Sequence, residues 1–557
     1  MKKLKFLFFV LPLLSIVSCD DYLDINQNPN AVLYPSLNPS ELISAAQTNS
    51  YRLQSGQMNE LGNIWTNAWA GNVAQVGGGY NQEFALILDS NFYSNIWDAS
   101  YRNIGNFQNI INYPNPTGVY DNYVAAAKIC KVHYMQYIVD LYGDCPYTEA
   151  FKGPLNVTPK YNDDQFIYRQ LIGELESARN IINTANPNAE LMGVTDTMLA
   201  GNMVSWTQFA NTLELRLLLR MSESTGNVAS YRTSKLAALN SEISTSGVGF
   251  LSSDVAINPG YLGATTNDQA NPFYSRNAFN ADNTPTFNWG FICPSGHGYK
   301  SLGSYASFAG GTNNSTVVSG SFNYPNVVDP RRGRIYRAIS GVTRAVTQGS
   351  PLVDVYQTSG STGVPGRVVG NGMLNPYNFV AAPTAFSDFA SNSGFVMTKA
   401  EAFFLQAEAA MRGYIPGVAT TFYNSGIDAS MEYLGVTAIA PAAIPTYKAA
   451  IANKIGYSMT AAGSTPAEKL QGLMYQKWVA LMGIHGIESF IDYTRTGYPI
   501  TPLATTATKP NKPNRLIYAD SEISTNSANT IPVSQSECFT VNAKSPFWLQ
   551  GNPVLGN

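Results

Sequence analysis

The amino-acid sequence predicts a mainly α protein: tetratricopeptide-like antiparallel helix pairs forming one large globular body, with a loop-rich ligand-facing region and minor β-hairpins. Three observations predict it. Apolar residues recur at spacings of three and four from about residue 40 to residue 240, the mark of helices with one buried face. The same period returns at Thr398, behind a helix-start signal. Between these stretches, residues 245–395 lose the period and gather Gly, Asn, Ser and Pro around single aromatics, a pattern of long loops.

The chain opens with Lys2, Lys3 and Lys5 ahead of an apolar run at 6–17, too short to span a bilayer. Residues 1–18 read as a removable signal peptide. Ile16 at the −3 position disfavours ordinary cleavage, whereas Ile16-Val17-Ser18-Cys19 matches a loose bacterial lipobox. Cys19 is therefore expected to carry lipid and become the new N-terminus, held to a membrane by roughly 0.8 kcal/mol per buried methylene. Asp20, Asp21, Asp24, Asn26 and Asn28 are too polar to pack, so 19–39 reads as a tether and 40–557 as one domain.

Helices are expected at 40–54, 97–111, 121–142, 163–183 and 205–222. In 121–142, Tyr123, Ala127, Cys130, Tyr134, Tyr137, Ile138 and Leu141 share one face. Ser205 with Gln208 forms a capping-box pattern that would start the fifth helix. In the loop region, Phe273, Tyr274, Trp289, Phe291 and Tyr299 argue for order, and short hairpins are expected within 336–354. Thr398 and Glu401 form a second capping box, with Gly413 closing that helix. Helices follow at 418–434 and 466–484, and the tail from Pro499 is extended.

Composition narrows the function. Only 13% of the 557 residues are charged, about half the usual share. With a net charge of −3 there is no basic face for nucleic acid. Cys130, Cys145, Cys293 and Cys538 lack zinc spacing and read as mostly free buried thiols, though three disulfide pairings are open. His133, His297 and His485 lack any metalloprotease spacing, so no metal or cofactor is expected.

No nucleophile elbow, P-loop or dinucleotide fingerprint occurs, and 76–80 lacks the lysine and strand of a phosphate loop. Glu401 and Glu408 lie seven apart, about 10 Å along a helix, near the separation of an inverting glycosidase pair. The cap explains Glu401, however, and Arg412 at i+4 explains Glu408. A surface hydrolase ranks last. Aromatics are the better signal, because sugar rings stack on them while Asn, Gln and Arg bind hydroxyls. Candidate ligand contacts are Trp65 and Trp69 at i, i+4, then Tyr80, Trp289, Tyr299, and His297 in Ser295-Gly296-His297-Gly298.

Several stretches together resemble the SusD/RagB family of outer-membrane nutrient-binding lipoproteins of Bacteroidota. They are the lipobox with Asp21-Tyr22-Leu23-Asp24, Trp97 with Tyr101, and Asp140-Leu141-Tyr142-Gly143-Asp144-Cys145-Pro146-Tyr147. Trp206, Phe209-Ala210-Asn211-Thr212-Leu213, Arg216, Gln476-Lys477-Trp478 and Asp492-Tyr493-Thr494-Arg495-Thr496-Gly497 complete the set. The resemblance implies a non-catalytic surface binder of oligosaccharide, or of peptide, that serves a SusC-like TonB-dependent transporter. It also implies an outer-membrane location through the Cys19 lipid, and an Arg216 buried against a carboxylate.

Overall fold

Asn38 starts the first helix: its side chain accepts the Ser40 and Glu41 N–H groups while Glu41 answers the Asn38 N–H, closing a capping box. A computed structural model describes residues 37–72, 79–262, 269–282, 284–303, 324–337, 345–350, 368 and 390–549. The signal peptide, Cys19, most of the tether, 76–78 and most of the 336–354 hairpin region lie outside the described residues.

Helix α1 spans Pro39–Leu53 and runs through a π-helical stretch, Gln54–Met58, into α2, Asn59–Trp65. Then come α3 at Asn95–Asn112, α4 at Asp121–Tyr142, α5 at Asp164–Thr184, α6 at Met203–Arg220 and α7 at Gly226–Ser246. Short helices α8 (Pro272–Asn277), α9 (Phe287–Phe291) and α10 (Gly296–Ser301) order part of the loop region. Beyond it lie α11 at Lys399–Met411, α12 at Ala419–Tyr433, α13 at Pro466–Leu481 and α14 at Gly486–Thr496.

Consecutive helices pack together: α3 on α4, α4 on α5, α5 on α6, and α11 on α12. The protein is mainly α, as its periodicity predicts. Central helix α4 is buried over almost its whole length, so both of its sides serve as core. It ends at Gly143, whose φ of 73° suits glycine. Helix α6 begins two residues before the expected position, because Asn202 rather than Ser205 accepts the capping N–H. At α11, Thr398 accepts the Glu401 N–H, but the Glu401 carboxylate bonds elsewhere, leaving half a capping box.

Among the described residues, three antiparallel strand pairs stitch the loops to the helices. β1 (Trp69–Gly71) pairs with β5 (Ile292–Pro294), setting Trp69 opposite Pro294. β2 (Cys145–Pro146) pairs with β3 (Tyr161–Asn162), and β4 (Val255–Ile257) with β6 (Gly394–Met397). One main apolar cluster draws residues from Leu42 to Leu549, so both ends of the described chain share a core. The four described cysteines are buried thiols outside any disulfide.

Helices α2 and α14 meet through small residues and amides. A Cβ on Gly62 would overlap the Gly486 backbone. The Asn59 side chain donates to the Gly483 carbonyl at 2.7 Å and accepts the Gly486 N–H at 2.9 Å, while Asn63 accepts the Gly483 N–H.

Candidate functional site

A cleft of about 650 Å³ opens between α1, the π-helical stretch, α3 and α8. Its walls come from polar helix faces: Asn49, Arg52, Gln57, Asn95, Arg102 and Asn103, with Ser275 and Arg276 from α8. Gly56 sits at the floor with φ −91° and ψ −108°, a local departure from helical geometry inside the π stretch. Such π insertions re-aim side chains and recur at functional sites. Two hydrogen bonds from side-chain amides tie wall to wall: Asn95 donates to Gln57 Oε1 at 3.0 Å, and Asn103 to the Asn49 carbonyl at 3.1 Å.

Arg276 joins the cleft to a neighbouring aromatic group. Its guanidinium donates to Glu60 Oε2, and the Tyr80 hydroxyl donates to Glu60 Oε1 at 2.7 Å. Burial, with the Glu60 charge beside it, raises the Tyr80 hydroxyl well above the usual range, so Tyr80 stays a neutral donor. The Tyr80 ring lies against Phe291 with centroids 4.9 Å apart, and Phe291 lies against Phe287, which is 59% exposed. Trp289 is half-buried on the same short helix, against Phe279 at 4.7 Å, with the Arg337 guanidinium 5.6 Å from its ring centre. Asn288 bonds Asn277, which fixes α9 beside α8.

The sequence-derived candidates separate into two groups. Trp65 and Trp69 are core residues, 3% and 1% exposed, and offer no face to a ligand. Trp65 packs against Phe92 and Phe490. The i, i+4 relation fails because α2 ends at Trp65, Asn67 turns with φ 54°, and Trp69 enters β1. Tyr299 and His297 are also buried. Tyr299 lies under the Arg332 guanidinium. His297 Nδ1 is 3.1 Å from the Tyr324 hydroxyl, and burial, with Lys512 and Lys300 nearby, pulls its pKa down to about 3. A neutral packed imidazole is a poor ligand contact. Of these candidates Trp289 alone combines a partly open ring with a place on α9, the helix packed on cleft-lining α8, and Phe287 joins it as a residue the spacing rules did not single out.

Glu401 and Glu408 are both fully buried and ion-paired. Glu401 accepts from Arg216 at 3.0 Å and lies 3.2 Å from His485 Nδ1. Burial alone would raise its pKa; the His485 bond and the Arg216 charge outweigh that and hold it below the usual range. Glu408 binds Arg495 in bidentate fashion at 2.6 and 2.7 Å and Arg412 at 2.9 Å. Against the cost of burial, these arginines hold it down at about 2. Neither carboxyl can supply a proton near neutral pH, the role a glycosidase acid must fill.

A family model described as starch-binding associating with outer membrane, SusD-like, matches residues 29–283 and 348–519. The chain belongs to this SusD-like family. Its fold resembles that of a chitin-binding SusD homolog from Flavobacterium johnsoniae, at 21% identity and a TM-score of 0.62, over 87% of this chain and 94% of that one. A SusD homolog from Bacteroides uniformis is similar at 20% identity and a TM-score of 0.60, over 91% and 99% of the two chains. No curated protein sequence matches. Within this SusD-like body, no described helix is long and apolar enough to cross a membrane.

Proposed function

We propose that this SusD-like chain is a non-catalytic cell-surface lipoprotein that captures oligosaccharide and delivers it to a SusC-like TonB-dependent outer-membrane transporter. The observation that carries this reading is the open cleft lined by amides and guanidiniums, with the exposed ring of Phe287 and the half-open ring of Trp289 on α9, the helix packed on cleft-lining α8. Polar groups placed to bond hydroxyls, next to rings placed to stack on sugar C–H faces, are what a glycan site requires. The family description, starch-binding associating with outer membrane, supports the same ligand class. Pairing of Glu401 and Glu408 with arginines supports binding without turnover. Cys19 supplies the lipid anchor in this reading, and the tether leaves the body free to move over its partner while staying concentrated beside it.

Calorimetric titration of the purified protein against soluble polysaccharides and their oligomers tests the ligand class. Saturable binding of at least one glycan, without release of shorter products, is expected. No glycan binding, together with peptides found by mass spectrometry in the complex purified with the transporter, would replace sugar by peptide. Cys19→Ala should release the protein from the membrane fraction with its binding curve unchanged.

A further inference from the structure

We infer that the cleft takes an anionic ligand, an oligosaccharide bearing carboxylates such as uronic acid units; this rests on the glycan-binding reading. The first observation is compositional. Three of the thirteen described lining residues are arginines and none is acidic, in a chain whose Asp and Glu outnumber its Lys and Arg by 37 to 34. The second is the pairing pattern. Glu60 is already engaged by both Arg276 and Tyr80. Arg52 and Arg102 have no carboxylate partner and no hydrogen-bond acceptor among the described residues, and both are exposed.

These two guanidiniums stand on different walls of one cavity, Arg52 on α1 and Arg102 on α3. Each presents a planar fork of five N–H donors that matches a carboxylate in bidentate fashion. The amides between them carry no charge, so nothing in the described wall compensates the positive potential. Among the described arginines elsewhere, Arg179, Arg216, Arg220, Arg331, Arg412 and Arg495 each hold at least one carboxylate, and Arg232, Arg334 and Arg515 donate to backbone carbonyls. Arg52 and Arg102 have neither kind of partner among the described residues and face the cleft. An acidic sugar would set its carboxylate on a guanidinium and its hydroxyls on Asn49, Gln57 or Asn103.

Titrations of the full chain with polygalacturonate, alginate and hyaluronan oligomers, each beside its carboxyl-reduced neutral form, with maltose and chitin oligomers alongside, test this. At least one acidic oligomer should bind about tenfold or more tighter than its neutral form. That preference should collapse near 1 M salt, where screening shortens to about 3 Å. Arg52→Gln and Arg102→Gln should each cut it several-fold, with unfolding curves confirming that both variants fold. Equal affinity for acidic and reduced forms, or binding of neutral oligomers only, overturns the anionic assignment while the glycan reading stands. Acid preference intact in the double variant overturns the cleft as its seat. Binding of no glycan at all overturns both readings.

Discussion

Arg216 Nη1 donates to Glu401 Oε1 at 3.0 Å with neither side chain exposed, although 185 residues separate them. Around the pair, His133 Nδ1 lies 2.9 Å from Arg216 Nη2, and the Tyr137 hydroxyl lies 2.8 Å from His485 Nε2. Helices α4, α6 and α11 and the start of α14 thus converge on one charged centre. Glu401→Ala or Arg216→Ala should cost up to about 3–5 kcal/mol, because each strips a buried charge of its main partner, leaving Arg216 only the Glu488 carboxylate at 3.5 Å or Glu401 only His485 at 3.2 Å. Urea unfolding checks this, and a loss under about 1 kcal/mol would mean that water reaches the orphaned group.

Acid should weaken the fold through Glu408. Its folded pKa of about 2 lies below the usual 4.5, so the stability it confers is present above the unfolded value. It is lost as pH falls from about 5 toward 2, on the order of 3 kcal/mol in all. Unfolding midpoints of the wild type and Glu408→Gln, measured across that window, should converge at the acid end.

Lys512 should act in the same direction, stability rising with pH, but in an alkaline window. Burial lowers its pKa from 10.5 to about 7, although its ammonium still donates to the Thr501 carbonyl at 3.0 Å. Between those values the unfolded chain binds the extra proton, so stability should rise by about 2 kcal/mol from pH 7 to pH 9. Lys512→Met should flatten that rise; an equal slope in the variant would assign it to other groups.

Trp69→Ala and Trp289→Ala should separate folding from binding. Emptying the Trp69 site, 1% exposed, should cost about 3–5 kcal/mol of stability. Trp289→Ala removes a half-buried ring and should cost less. Its main effect should be a loss of about 1 kcal/mol in glycan affinity, read by calorimetry. Unchanged binding would remove Trp289 from the site.

Long helices were legible because their apolar period is long and their caps are local. Helix α4 falls on its expected bounds, 121–142, and Asp163 caps α5 as the residue type suggests. The Asp140-to-Tyr147 motif and Arg216, whose carboxylate partner is Glu401, located the family and its buried charges. Helices α2 and α14 were not delimited: α2 spans seven residues, too few to show a period, and joins α1 through the π stretch. The cleft was invisible for a different reason. Arg52, Asn95 and Arg276 come from separate segments and look, one at a time, like ordinary solvated helix faces; only packing brings them together. Aromatic count misled at Trp65 and Trp69 because large rings fill cores as readily as they line sites.

The amide clasp between Asn59 and Gly483 spans 424 positions of chain. Contacts of such range cannot form until most of the polypeptide has emerged, and closing so long a loop is entropically slow. The N-terminal helices therefore wait, with Asn59 and Asn63 bonded to each other but lacking their partners at Gly483 and Gly486, for a segment made near the end of synthesis. Deletions that remove α14 should leave this region unable to complete itself, so the protein folds as a whole or remains aggregation-prone.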